Sequence, residues 1–164
     1  MENNIRVMGF IKSVGNIAEL MKKLDAISGD CVIQLLNADG IAGEEHVIHA
    51  TLQAISSFKR KDNIANDLGL EICVRASGQR QISKAINILG LKEGLNNICA
   101  VMVDCNDQAI ECLERLLGKR DDTILKPDEN GLKDIYHITD EEIKTSGNIA
   151  RALMERTTIL VLET

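Results

Sequence analysis

The residues from Arg75 to Ile86, Arg75-Ala76-Ser77-Gly78-Gln79-Arg80-Gln81-Ile82-Ser83-Lys84-Ala85-Ile86, combine types suited to binding a phosphate and a base. The pattern predicts a strand ending at Arg75, a break at Ser77-Gly78, and a helix from Arg80 to Leu89. A helix N-terminus aims unpaired N–H groups and a partial positive charge outward, which attracts anions. Cations normally sit late in a helix, so Arg80 at its start calls for a negative partner. Gln79 and Gln81 both donate and accept hydrogen bonds, as recognition of a base or sugar edge requires. The plainer alternative is a capped helix whose Arg80 and Lys84 are solvated or paired to an acid.

A second cluster, Lys59-Arg60-Lys61, ends a long amphipathic pattern that starts at Glu44. Cations there complement the helix dipole without any ligand, although three in a row exceed what capping needs. From Lys59 to Lys92 the chain holds seven basic residues and three acids, Asp62, Asp67 and Glu71, against a net charge of −6 for all 164 residues. The net negative charge argues against indiscriminate nucleic-acid binding, yet one basic island stands in this acidic protein. With one Tyr, two Phe and no Trp, a platform for stacking successive bases is excluded.

Catalytic constellations are scarce. No Walker loop, G-x-G-x-x-G or G-x-S-x-G occurs. His46 and His49 stand three apart on a predicted helix, where a zinc site wants a spacing of four and a third ligand. His137 beside Tyr136 has no identifiable partner for acid–base work. An enzyme acting on a small anionic ligand at the Gly78-Arg80 turn remains the alternative to a binding protein. No cofactor is expected. Cys31, Cys73, Cys99, Cys105 and Cys112 are odd in number and contain no C-x-x-C, so they are expected as thiols packed like small hydrophobes, not as disulfides or metal ligands. No apolar run approaches the roughly 20 residues of a membrane span, and the start lacks an apolar signal region, so a cytoplasmic setting is expected.

The elements that must position these residues follow from periodicity. Strands are predicted at Ile5 to Ile11, Cys31 to Leu36, Leu70 to Arg75, Asn97 to Cys105 and Thr157 to Leu162. Helices are predicted from Asn16 to Gly29, Glu44 to Lys61, Arg80 to Leu89, Asp107 to Leu117, Asp140 to Lys144 and Asn148 to Arg156, with a short helical turn from Asn63 to Asp67. The charged stretch Lys119 to Lys133, with Pro127 and Asn130-Gly131, reads as a solvated loop or hairpin. The expected fold is α/β, or mixed α+β: residues 1–164 form one domain, a single central mixed sheet of about five strands with packed helices, some pairs parallel. Ile149, Leu153 and Met154 form an apolar stripe in a short terminal helix, available either to the core or to a partner.

The run Ser77-Gly78-Gln79-Arg80-Gln81-Ile82-x-x-Ala85-Ile86, followed by Leu89-Gly90-Leu91-Lys92-Glu93-Gly94, resembles the kinase-regulatory subunit family of the KEOPS (EKC) complex, also called the PRPK-binding protein family. The closing segment Ala152-Leu153-Met154-Glu155-Arg156-Thr157-Thr158-Ile159-Leu160 is similar to it as well. The resemblance implies a non-catalytic subunit that docks on the small atypical kinase/ATPase of the complex and helps bind tRNA through its 3′ CCA end. The complex attaches a threonylcarbamoyl group to the adenosine beside the anticodon. Such a role suits the basic island and the terminal stripe, so nucleic-acid contacts are expected among Lys59, Arg60, Lys61, Arg75, Ser77, Gly78, Gln79, Arg80, Gln81 and Lys84, and partner contacts at Ile149, Leu153 and Met154. The stretch Lys119 to Lys133 matches no motif of the family.

Overall fold

The structure, a computed structural model, describes residues 3–162. Three strands, β1 (Ile5–Val14), β2 (Val32–Asn37) and β3 (Gly94–Val103), form one sheet in the order β1-β3-β2. Both outer strands run antiparallel to β3, with Ile5 opposite Val103 and Val32 opposite Val103 on its other side. Among the described residues there are eight helices: α1 (Ile17–Ser28), α2 (Gly43–Arg60), α3 (Leu68–Ser77), α4 (Ile82–Leu89), α5 (Asp107–Leu117), α6 (Glu129–Tyr136), α7 (Asp140–Ser146) and α8 (Ile149–Leu162). Short 3-10 turns occupy Ala38–Gly40 and Asp122–Leu125.

Alternation along the strands divides the core in two, because successive side chains point to opposite faces. Met8, Phe10, Ile98, Ala100 and Met102 pack with Leu20 and Leu24 of α1 and Leu113 and Leu117 of α5. Val7, Cys99, Val101 and Leu36 face the other way, against Val47 and Ala50 of α2, Ile72 and Val74 of α3, and Leu89 of α4. A third cluster, Leu132, Tyr136, Ile149, Ala152 and Leu153, seats α6 against α8.

The mixed α/β class therefore holds, but the sheet has three strands where about five were expected, and none of its pairs is parallel. Leu70 to Arg75 is part of α3. Its residues from Glu71 to Ser77 are all buried, and a helix covered on every side shows no polar face for periodicity to detect. Asp67 caps it, accepting from the Leu70 N–H at 2.8 Å. Thr157 to Leu162 continues α8. The β-branched run stays helical because tertiary packing overrides its propensity: Thr157 and Leu160 are buried, and the Thr157 hydroxyl donates to the Arg75 carbonyl of α3.

The stretch Lys119 to Lys133 is not a free loop. Gly9 of β1 donates its N–H to Asp122 and accepts from the Asp121 N–H, so this segment covers part of the sheet edge. A Cβ at Gly9 would stand 2.4 Å from the Asp121 carbonyl oxygen, so only glycine permits the approach. Asn63 to Asp67 forms an irregular turn instead of a helical one. The expectation of five packed thiols fails at one pair, since Cys31 and Cys105 are joined in a disulfide; Cys73 and Cys99 are buried as thiols.

Candidate binding surfaces at the α3–α4 corner and the α2–α8 face

Gly78 ends α3 in the left-handed conformation (φ 65°), with its N–H donated to the Arg75 carbonyl. Gln79, Arg80 and Gln81 bridge to α4, whose N-cap is Gln81. The site is thus a helix–loop–helix corner, not a strand–turn–helix. This geometry changes the account of Arg80. It lies just beyond the C-terminal carbonyls of α3, where the dipole favours a cation, as well as before α4. At the start of α4 the Gln81 side chain makes no capping bond and no acid occupies the first turn, so the N–H groups there keep their attraction for an anion. Arg80, Gln81 and Lys84 are exposed, and Gln79 is half-buried.

Two expected contact residues are turned inward. Arg75 is 0% exposed, and its Nε donates to Glu71 at 2.7 Å; both terminal nitrogens are buried with no hydrogen-bond partner. It cannot touch a nucleic acid from that position. Ser77 is also buried, its hydroxyl donating to the Val74 carbonyl and accepting from the Gln79 N–H. Both residues shape the corner from below.

The supporting framework was not legible as function in the sequence. Glu71 accepts at one carboxylate oxygen from the backbone N–H groups of Ile64 and Ala65, and at the other from Arg75 and the Ser57 hydroxyl. It ties the turn after α2 to α3. His46 accepts the Ala42 N–H at Nδ1 (3.0 Å) and donates from Nε2 to the Ala76 carbonyl (2.9 Å), which places the ring proton on Nε2. Burial lowers its pKa to about 4, an effect opposed by the Ala76 bond and reinforced by His49. From α8, the Thr157 hydroxyl donates to the Arg75 carbonyl at 2.8 Å. Arg156 holds Glu142 of α7 through two nitrogens and the Tyr136 carbonyl through the third. Burial of Glu71 and His46 is the one signal that would have found them, and the sequence alone does not display it.

The Lys59-Arg60-Lys61 cluster closes α2. Lys61 adopts the left-handed conformation (φ 64°), with its N–H on the Phe58 carbonyl and that of Asp62 on the Ser57 carbonyl, which satisfies these two of the last carbonyls. Arg60 pairs with Asp62 at 3.0 Å, while Lys59 and Lys61 are exposed. Lys59 lines a depression with Ile55, Phe58 and Asn3. Helices α2 and α3 run antiparallel, Ser57 meeting Glu71 at one end and His46 meeting Ala76 at the other. The two basic groups therefore lie at opposite ends of α3, about 15 Å apart along it from its ten residues at 1.5 Å each.

The terminal stripe also divides. Ile149 and Leu153 are buried in the third core cluster and cannot face a partner; Met154 is half-buried at the surface. It shares a shallow apolar depression with Ile48, His49 and Leu52 of α2, rimmed by Glu44 and Glu45. Leu52 is 51% exposed, and His49 Nε2 lies 3.1 Å from the Thr158 hydroxyl, which fixes α2 against α8 here. An uncovered leucine and methionine with two acids beside them form a surface suited to a protein partner.

The family model described as kinase binding protein CGI-121 matches residues 11–160. The chain belongs to the CGI-121 family of kinase-binding proteins. It is 38% identical over 132 residues to the regulatory protein Cgi121 of Methanocaldococcus jannaschii, covering 79% of this chain and 83% of that one. It is 34% identical over 89 residues to the KEOPS complex subunit Cgi121 of Pyrococcus abyssi, covering 54% of this chain and 52% of the other. The matched span contains both surfaces, from Glu44 through the Gly78 corner to Met154. Among the described residues, no group of three or more His, Cys, Asp or Glu side chains is placed to hold a metal ion, and no helix is long and apolar enough to cross a membrane.

Proposed function

We propose that this chain is the non-catalytic Cgi121-type subunit of a KEOPS complex, acting in the cytoplasm. It docks on the complex's small kinase/ATPase through the α2–α8 face and helps recruit tRNA, by its 3′ CCA end, for threonylcarbamoyladenosine formation. The observation that carries this is the apolar depression at Ile48, Leu52 and Met154 on a chain of a kinase-binding family. Desolvating exposed apolar side chains supplies affinity, and Glu44 and Glu45 at the rim select a partner with cations beside its own apolar patch. The tRNA contacts are drawn from Lys59, Lys61, Arg80, Gln81 and Lys84, which all reach solvent, with Gln79 and Gly78 at the bend.

The enzyme alternative gains no support from the geometry. The depressions at Cys31 and Cys112, at Phe58 and Lys59, and at Glu44 and Leu52 are not lined by Gln79, Arg80 or Gln81. The strongly shifted groups His46 and Tyr136 are buried and hydrogen-bonded within the fold. Reconstitution tests the proposal. With kinase and the other subunits fixed, adding this chain is expected to raise both tRNA retention and threonylcarbamoyladenosine yield. A complex that retains and modifies tRNA equally well without it contradicts the proposal.

A further inference from the structure

Three of the five cysteines meet at one end of the sheet. Cys31 stands just before β2 and Cys105 just after β3, and the pairing of Val32 with Val103 brings them together. They form a disulfide with their Cα atoms 5.0 Å apart and a sequence separation of 74. The loop closed by this bond contains α2, α3 and α4, and with them every candidate contact from Lys59 to Lys84.

Cys31 is only half-buried. It lines an open cavity of about 470 Å³ together with Cys112 of α5, Asp30, Asp104 and Gln108. On its other side it borders the depression that holds Phe58 and Lys59. The remaining two cysteines differ in kind. Cys73 and Cys99 are buried, and burial pushes both thiols up to about 12, which leaves them un-ionised and out of reach.

We propose that the Cys31–Cys105 bond is a reversible redox staple, opened in the folded protein by a dithiol reductant that enters through the Cys112 cavity. One thiolate of the reductant attacks Cys31 Sγ; the Sγ–Sγ bond breaks and Cys105 leaves as a thiolate that takes up a proton. The second thiolate of the reductant then attacks its partner sulfur in the mixed disulfide, and Cys31 leaves and is protonated. Two electrons and two protons pass from the dithiol to the protein disulfide, and the reductant is left as a disulfide. A small-molecule disulfide of the glutathione class reverses the exchange. Asp30 and Asp104 repel an incoming anion, so an uncharged dithiol works faster than glutathione, which carries extra negative charge beyond its thiolate. Opening frees the start of edge strand β2 beside Phe58 and Lys59.

The test counts thiols on the full chain. Air-equilibrated protein, denatured without reductant and labelled with a maleimide–polyethylene glycol, is expected to show three reactive thiols. Native protein treated with dithiothreitol, then quenched, denatured and labelled, is expected to show five, with Tm lowered by about 5–15 °C. Glutathione disulfide should restore both values. A Cys31→Ser, Cys105→Ser double variant should show the lower Tm with no response to reductant. Cys112→Ser should leave the Tm response intact and remove one thiol from each count. Five thiols in the air-equilibrated protein, or three after native dithiothreitol treatment, would overturn the proposal, as would loss of the response in Cys112→Ser.

Discussion

His46 holds two helices together through a ring that burial keeps neutral, and this makes it a residue through which pH acts on the fold. Its pKa in the folded protein is depressed from 6.5 to about 4. Below pH 6.5 the unfolded chain takes up a proton that the folded one refuses. The stabilising contribution is therefore complete above about 6.5, is lost as pH falls towards 4, and changes little below that. At 1.36 kcal/mol per pKa unit the loss is about 3 kcal/mol. Urea unfolding at stepped pH should show this decline, and a His46→Gln variant should be less stable at pH 7.5 with a flatter profile over that interval. Glu71 acts at the same scale. Removing it strips the partner from a fully buried Arg75 and two backbone donors, so Glu71→Ala is expected to cost about 3–5 kcal/mol. A change in unfolding free energy, from urea denaturation, of less than about 1 kcal/mol would mean that the buried pair does not hold the turn after α2. Neither role is visible in the sequence, where Arg75 reads as one more cation of a basic island. Composition gives charge; only packing tells which charges reach water.

Elements whose period or buried run is unambiguous were legible; α3, the end of α8 and the short helix α6 were not. The stripes of α1, α2 and α5, the caps Asn16 and Asn106, and the buried run of β3 all lie close to where periodicity puts them. Helix α3 reads as a strand because it is short, aliphatic and covered, and the end of α8 because it is β-branched; local sequence cannot supply the tertiary contacts that keep them helical. The same ambiguity touched the terminal stripe, which the structure divides between core and surface. Two substitutions separate these places. Leu153→Glu buries a carboxylate in a 2% exposed core position and should abolish the cooperative thermal transition. Leu52→Glu changes a half-exposed side chain and should leave Tm within about 2 °C, since surface changes stay near 0.5 kcal/mol. A Leu153→Glu protein that melts like the wild type would refute the placement of α8 in the core.

For the whole molecule, helix α2 joins the two proposed activities. Its exposed side carries Leu52 into the depression proposed to dock the kinase and, two turns later, Lys59 beside Phe58. The basic Gly78–Lys84 corner lies at the other end of α3. A tRNA end spanning both groups contacts few phosphates, so binding by the isolated chain should be weak and salt-dependent. With about three to five contacts, log affinity should fall against log salt with a slope of roughly −2 to −5. Lys59→Glu and Lys84→Glu should each flatten that slope without unfolding the chain, and a slope of zero would remove the basic island from the account. The central claim, though, is the docking of a kinase on the α2–α8 face, and calorimetric titration of the KEOPS kinase subunit with wild-type and Leu52→Glu protein tests it most directly. Placing an unpaired carboxylate in a desolvated contact costs several kcal/mol, so affinity should fall by about 100-fold or more while Tm holds. A folded Leu52→Glu chain that binds the kinase as tightly as the wild type would contradict the account.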